Sequence, residues 1–363
     1  MRIDAPTIGV LPSGPLDSIA DVAGVTVGHC TMADGALQTG VTIVRPTPDD
    51  AGALFRAPLP AGVAVINGFG KSLGLLQLAE LGALESCIAL TNTFAVGTVA
   101  TALTQAAVRA EPRIGRELAS FNALVMECND GALNDMQAFA LQPAHVQQAF
   151  DDARTGFAQG SVGAGRGMSC FGLKGGIGSA SRIAATAAGR FTLGALVLAN
   201  CGRLPALRIA GRHLGPLLAE RLAAAAAAVD AADAGPERGS IIIVLASDAP
   251  LDARQLTRVA RRAAAGLARC GSDYGHGSGD IALAFSTQRP AAAPGSRGTR
   301  LLQTLLHEPL LDALFAAAAE ATEAAIVNAL FAATDVVGRD GTRRVALPTL
   351  APDWRALLAP IPS

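Results

Sequence analysis

Between Ser240 and Ala246 the chain carries an uninterrupted apolar run, Ser240-Ile241-Ile242-Ile243-Val244-Leu245-Ala246, entered from the breaker-rich stretch Gly235-Pro236-Glu237-Arg238-Gly239. A short run dominated by branched aliphatic residues and bounded by Gly reads as a strand buried in a core. Such a strand must lie in a sheet covered by other elements, which sets the class of fold before any other residue is considered. The boundary also has a chemical reading. A small residue followed by Ser is where a chain can cut itself, leaving Ser240 with a free α-amine. The hydroxyl then attacks a carbonyl and the amine, with a free pKa near ~8, takes its proton, so no His partner is required. The plainer reading is that Gly239-Ser240 ends a loop before a core strand. The neighbouring residues bear on which applies.

Of the 363 residues, 50% are hydrophobic and 16% charged, which guarantees a large core and excludes disorder. A net charge of −1 and an aromatic content of 4% provide neither the basic field nor the stacking platforms that nucleic acid requires. The first residues lack the apolar core of a signal peptide, and the Ala-rich run 222–229 is flanked by Glu220, Arg221 and Asp230. A soluble cytoplasmic protein with no membrane partner is expected. Cysteines at 30, 87, 128, 170, 201 and 270 form no Cys-x-x-Cys pair, and histidines at 29, 145, 213, 276 and 307 show no ligand spacing. Buried thiols and no metal are expected.

Strand patterns fall at 25–29, 42–44, 63–66, 123–126, 191–198, 241–246 and 281–286, and helical patterns at 75–80, 98–109, 216–230, 251–267 and 301–334. A turn at Gly338-Arg339-Asp340-Gly341 precedes Val345-Ala346-Leu347. One compact domain spanning 1–363, with helices on the outer faces of its sheets, fits this order.

Several motifs carry competing readings. Gly163-Ala164-Gly165-Arg166-Gly167-Met168 fails as a dinucleotide fingerprint because Met168 replaces the third Gly, and Gly70-Lys71-Ser72 fails as a phosphate loop because Val65 stands where a Gly is needed. Gly70-Lys71-Ser72-Leu73-Gly74 matches a nucleophile elbow between strand and helix, with His307 the late His that an esterase of this kind requires. Glu127-Cys128-Asn129-Asp130-Gly131 ends an apolar strand in a turn, and Glu127 there suits a substrate ammonium. The loop Gly271-Ser272-Asp273-Tyr274-Gly275-His276-Gly277-Ser278-Gly279-Asp280 is either a solvated Gly-rich loop or a route that returns Ser278 and Asp280 to the side of Ser240. Asn200 is either a turn residue before Gly202 or an amide donor to a developing oxyanion.

Along nearly its full length the chain resembles the DmpA-type aminopeptidases, also called the β-peptidyl aminopeptidase family. The resemblance runs through Asp21-Val22-Ala23-Gly24-Val25-Thr26-Val27-Gly28-His29, Asn67-Gly68-Phe69-Gly70-Lys71 and the segment 127–135. It continues through Lys174-Gly175-Gly176-Ile177-Gly178-Ser179-Ala180-Ser181-Arg182, Gly239-Ser240 into Ser247-Asp248-Ala249-Pro250, and Ser278-Gly279-Asp280. It implies an α+β fold, a four-layer αββα sandwich like that of the N-terminal nucleophile hydrolases. It also implies self-cleavage after Gly239 into an α chain 1–239 and a β chain 240–363, followed by release of N-terminal residues from peptides, amides or esters through an acyl-enzyme. On that analogy Ser240 is the nucleophile, Asn200 the oxyanion donor, Ser278 and Asp280 its supports, and Glu127 the anchor of the substrate amine. No cofactor follows, and a homo-oligomer of four αβ units is implied.

Two departures bear on specificity. Some members carry Tyr where this chain has Asn129, beside the amine anchor in the substrate-binding region, and some carry Glu where Asp280 stands. Whether L-residues, D-residue amides or β-amino acids are preferred stays open. Three alternatives also stay open: acyl transfer of the ornithine acetyltransferase type, a non-cleaving relative that binds an amine ligand, and an esterase working through Ser72.

Overall fold

The computed structural model describes residues 3–225, 239–292 and 301–359. Its strands are β1 (Thr26–Asp34), β2 (Leu37–Arg45), β3 (Leu59–Gly68), β4 (Ala83–Leu84), β5 (Ile88–Asn92), β6 (Leu124–Cys128), β7 (Gly176–Thr186), β8 (Gly189–Asn200), β9 (Ser240–Ser247) and β10 (Gly279–Ser286). Four further two-stranded pairings involve very short strands. The main helices are α1 (Leu75–Leu81), α2 (Val96–Ala110), α3 (Pro143–Asp151), α4 (Gly215–Ala225), α5 (Ala253–Arg269) and α6 (Leu311–Ala332).

These strands form two sheets, one ordered β1-β2-β5-β6 and one ordered β4-β3-β10-β9-β8-β7. The apolar run of β9 splits by parity, as a strand with both faces covered must. Ile242 and Val244 pack between the sheets against Leu90, Leu124 and Met126. Ile241, Ile243 and Leu245 face the other way, in a cluster with Leu256 and Val259 of α5 and Leu314 and Ala318 of α6. On the far side of the smaller sheet, Val41, Ile43, Ala89 and Val125 meet Val99 and Leu103 of α2 and Val146 of α3. Helix, sheet, sheet and helix give the four layers implied by the resemblance.

Helix α5 starts where Asp252 accepts from the Gln255 N–H at 2.7 Å while the Gln255 side chain returns to the Asp252 N–H, a reciprocal cap. It links β9 to the parallel β10, the one direct strand-helix-strand crossover in this sheet among the described residues. The helix expected over 301–334 is shorter at its start. Leu301–Leu302 is extended, Glu308–Leu310 forms a 3-10 turn with Pro309 in it, and α6 begins only at Leu311. Proline fixes the backbone at a helix start and has no N–H to give its interior, so the helical region opens there. The expected helix 216–230 is seen as α4 through Ala225, and its remainder lies outside the described residues.

Strand β7 was not legible as a strand because it is written in small residues. Its neighbour α6 explains them: a β-carbon on Gly178 would stand 1.9 Å from the Ala325 carbonyl oxygen. The close seat of helix on sheet therefore excludes the branched residues that normally mark a strand.

Candidate active site

Four strand ends meet at one edge of the larger sheet. β9 and β10 run parallel, so Ser240 and Gly279 both begin there. β8 and β3 run antiparallel to them, so Asn200 and Gly68 end there. In the ladders Ser240 pairs with Asn200, Asp280 with Ile241 and with Asn67, and Gly279 with Gly68. The topology thus gathers residues that are up to 213 positions apart, from Asn67 to Asp280.

The Gly279 N–H donates to Ser240 Oγ at 3.0 Å. Only glycine fits at 279, since a β-carbon there would be 2.6 Å from the Phe69 carbonyl oxygen. Ser278 Oγ donates to Asp280 Oδ1 at 2.6 Å, and both residues are fully buried. The Asn67 amide holds the preceding loop through the carbonyl oxygens of Gly275 at 3.0 Å, His276 at 3.3 Å and Ser278. The Gly-rich loop is therefore a buried return, not a solvated turn, at its Ser278-Gly279-Asp280 end.

Asn200 is oriented from both ends. Its Oδ1 accepts from the Ser169 N–H at 2.8 Å and its Nδ2 donates to the Asn129 carbonyl oxygen at 3.0 Å. An amide nitrogen carries two hydrogens, so one remains for another acceptor. Asn129 itself enters the site through that carbonyl. Its side-chain Oδ1 accepts from the Gly131 N–H at 2.9 Å, the short turn that Asn-Asp-Gly suggested.

Gly239 leaves no room for a side chain, because a β-carbon there would be 2.1 Å from the Asn200 carbonyl oxygen. The small residue before Ser240 is a packing requirement of this fold.

Glu127, near the end of β6, is buried and held by two donors. Its Oε1 accepts from the Lys71 backbone N–H at 2.8 Å and its Oε2 from the Thr93 hydroxyl. A β-carbon on Gly70 would stand 3.6 Å from Glu127 Oε1 and 4.0 Å from Gly279 Cα, so the carboxylate and the nucleophile's neighbour border the same small space. The supporting groups Thr93, Asn67, Ser169 and the Gly279 N–H were missed as site residues. Those that act through backbone atoms leave no side-chain signal, and Thr93 has no local pattern around it.

Below Asn200 lies Lys174, fully buried, its Nζ donating to the carbonyl oxygens of Gly165 at 2.9 Å, Met168 at 2.8 Å and Gly175 at 2.8 Å. Burial pushes its pKa well down. Three acceptors call for three N–H donors, which only the ammonium has, so the hydrogen bonding opposes that push. The effect is to fix the turn whose next residue, Ser169, orients Asn200. Asp130, also buried, has its carboxyl pushed up to about 6 by desolvation.

The Ser72 esterase arrangement does not form. Ser72 Oγ is buried with no hydrogen-bond partner among the described residues, and the adjacent Leu73 is bridged to Val125. Ser72 follows the Gly68 end of β3, whereas His307 follows Leu306, whose N–H donates to the Pro250 carbonyl oxygen beyond the opposite end of β9.

The family model of Peptidase family S58 matches residues 17–344. The chain belongs to that family. It is a peptide-bond hydrolase with an N-terminal nucleophile, and the serine aminopeptidase class expected from its sequence is the one its relatives support. The beta-peptidyl aminopeptidase BapA of Sphingosinicella xenopeptidilytica is 39% identical over 351 residues, covering 92% of this chain and 85% of the relative. The solved structure of a Burkholderia sp. beta-aminopeptidase is 42% identical, covers 98% of both chains and superposes with a TM-score of 0.85. The L-aminopeptidase D-Ala-esterase/amidase of Ochrobactrum anthropi, described as a variant of the Ntn hydrolase fold, is 32% identical with a TM-score of 0.81 and 97% coverage of both chains. No helix among the described residues is long and apolar enough to cross a membrane.

Proposed function

We propose that this S58 peptidase cuts its own chain between Gly239 and Ser240 and then uses Ser240 to release N-terminal residues from short peptides, amides or esters. In the first step Ser240 Oγ adds to the Gly239 carbonyl, the Gly239–Ser240 C–N bond breaks, and water hydrolyses the resulting ester. The products are the Gly239 carboxylate and a Ser240 that carries both a hydroxyl and a primary amine. In turnover the amine takes the hydroxyl proton as Oγ attacks the substrate carbonyl, then delivers it to the leaving amine, and water releases the acyl group.

The observation that carries this reading is the 3.0 Å hydrogen bond from the Gly279 N–H to Ser240 Oγ, at a strand end shared with Asn200. Asn200 Nδ2 donates to the oxyanion, the Ser278-Asp280 pair steadies the protonated amine, and Glu127 receives the substrate's free ammonium. Asn129 orients the oxyanion donor through its carbonyl, which accepts from Asn200 Nδ2 at 3.0 Å. With β-aminopeptidases among its relatives, the chain is expected to accept N-terminal β-amino acids as well as α-residues. Ala-rich helices with few charges provide faces for assembly into a homo-oligomer of four αβ units.

Mass spectrometry of purified protein tests the reading. Two fragments divided after Gly239 are expected, the second with Ser240 at its N-terminus. Ser240→Ala should remain one chain with no turnover, and Gly239→Val should process slowly or not at all. Full activity in an undivided Ser240→Ala protein would overturn it.

A further inference from the structure

The mouth of the site carries a cation that neither the nucleophile nor the amine anchor requires. Lys71 is exposed and forms no ion pair among the described residues. Its Nζ nevertheless has a fixed seat, 4.3 Å from the centroid of the Phe69 ring. An ammonium over an aromatic face is held there by the ring's quadrupole. Phe69 is itself 52% exposed, and its ring lies 6.1 Å from that of His276. Its main chain is packed against Gly279, beside Ser240, as the 2.6 Å approach of the Phe69 carbonyl to a β-carbon on Gly279 shows. Aromatic ring and cation are thus paired on the strand end whose main chain packs against Gly279, the residue that donates to Ser240 Oγ.

The backbone of Lys71 fixes the distance scale. Its N–H donates to Glu127 Oε1 at 2.8 Å, so the lysine leaves the main chain at the point where the substrate ammonium is anchored. In an extended dipeptide the two charged ends lie about 7 Å apart. A four-carbon stem covers most of such a span. A cation at one end of it and a carboxylate at the other match the charges of a zwitterionic dipeptide, with the scissile carbonyl between them. Neutralising the far carboxylate, or moving it outward by adding residues, removes the match.

We propose that Lys71 is a specificity-determining residue whose ammonium pairs with the C-terminal carboxylate of the leaving residue, so that free dipeptides are preferred over their C-terminal amides. The inference rests on the placement of Ser240 and Glu127 given above. Phe69 contributes by holding the ammonium in its seat.

The test compares kcat/KM for one dipeptide and for the same dipeptide amidated at its C-terminus, in mature wild type, Lys71→Met, Lys71→Glu and Lys71→Arg. Because both substrates share the acyl half, their ratio reports only on the leaving end, and the backbone N–H to Glu127 persists in every variant. The wild-type ratio should favour the free dipeptide by about tenfold. It should approach unity in Lys71→Met, fall below unity in Lys71→Glu and be retained in Lys71→Arg. A ratio that stays the same in wild type, Lys71→Met and Lys71→Glu overturns the assignment. Ser240→Ala separates the two levels. Turnover surviving in that variant removes the underlying reading, whereas a dead Ser240→Ala with an unmoved ratio removes only the role of Lys71.

Discussion

Ser240 and Asn200 stand opposite each other as the terminal pair of the β8–β9 ladder, 40 positions apart in sequence and joined across by the sheet itself. An amide donor and a hydroxyl placed on neighbouring strands of a rigid sheet need no loop movement to meet a common carbonyl. Sites built on regular elements hold geometry better than sites on loops.

The Asn200 amide is accordingly expected to act as donor, not as a structural turn. Asn200→Ala removes both its bonds, to Ser169 and to Asn129, whereas Asn200→Asp keeps the acceptor for Ser169 and deletes the donor. Both should lower kcat by about 10²–10³-fold, the usual cost of losing an oxyanion donor. Asn200→Asp also sets a carboxylate oxygen against the Asn129 carbonyl oxygen, so its unfolding midpoint should fall below wild type, and the kcat loss is read where the variant is still folded. Steady-state kinetics beside a denaturation curve decides the matter. Retained kcat in Asn200→Asp would return Asn200 to the role of a turn residue.

Glu127 should act on binding more than on chemistry. Glu127→Gln preserves an acceptor for the Lys71 N–H but lacks the charge that pairs with a substrate ammonium. KM for substrates with a free amine should rise about 10- to 100-fold, with a smaller change in kcat. Thr93→Val, which removes the hydroxyl donor to the other carboxylate oxygen, should give a weaker effect in the same direction, about 2- to 10-fold. Initial rates over a substrate series check both, and an equal fall in kcat with unchanged KM would place Glu127 in the chemical step instead.

Much of this arrangement was written openly in the chain. The apolar run after Gly239, the acidic strand end at Glu127 and the Ser278-Gly279-Asp280 return mark strand ends by local pattern alone. The single helix between strands 241–246 and 281–286 already points to the return of Ser278 and Asp280 beside Ser240, whereas the arrival of Asn200 and Glu127 at the same place does not follow from local pattern, because register is a property of pairs. The small-residue strand β7 was hidden for a related reason, since Gly178 is chosen by the backbone of α6 and not by strand propensity. Lys174 and Thr93 show the limit from the other side. A lysine reads as surface and a threonine as neutral, yet one is buried under three carbonyls and the other holds the amine anchor.

Acid titration offers a check on the interior beneath the site. Burial raises the Asp130 carboxyl from an ordinary 3.8 to about 6. A group bound more tightly to its proton when folded stabilises the fold at pH below its unfolded value, and that contribution disappears as pH rises through the folded one. At neutral pH the buried Asp130 is ionised at a cost, offset in part by the Asn134 amide that donates to it at 3.1 Å. His29 titrates in the opposite sense, lowered to about 4 by burial, so the fold loses its contribution as pH falls. The two trends overlap, which makes the wild-type profile alone uninformative. The difference between Asp130→Asn and wild type cancels His29. That difference should be smallest near pH 3.5 and increase toward pH 7 in favour of Asp130→Asn, by up to about 3 kcal/mol. Denaturant unfolding at the two pH values measures it directly. A difference that is flat, or that grows toward acid, would mean that Asp130 keeps its charge in the folded protein.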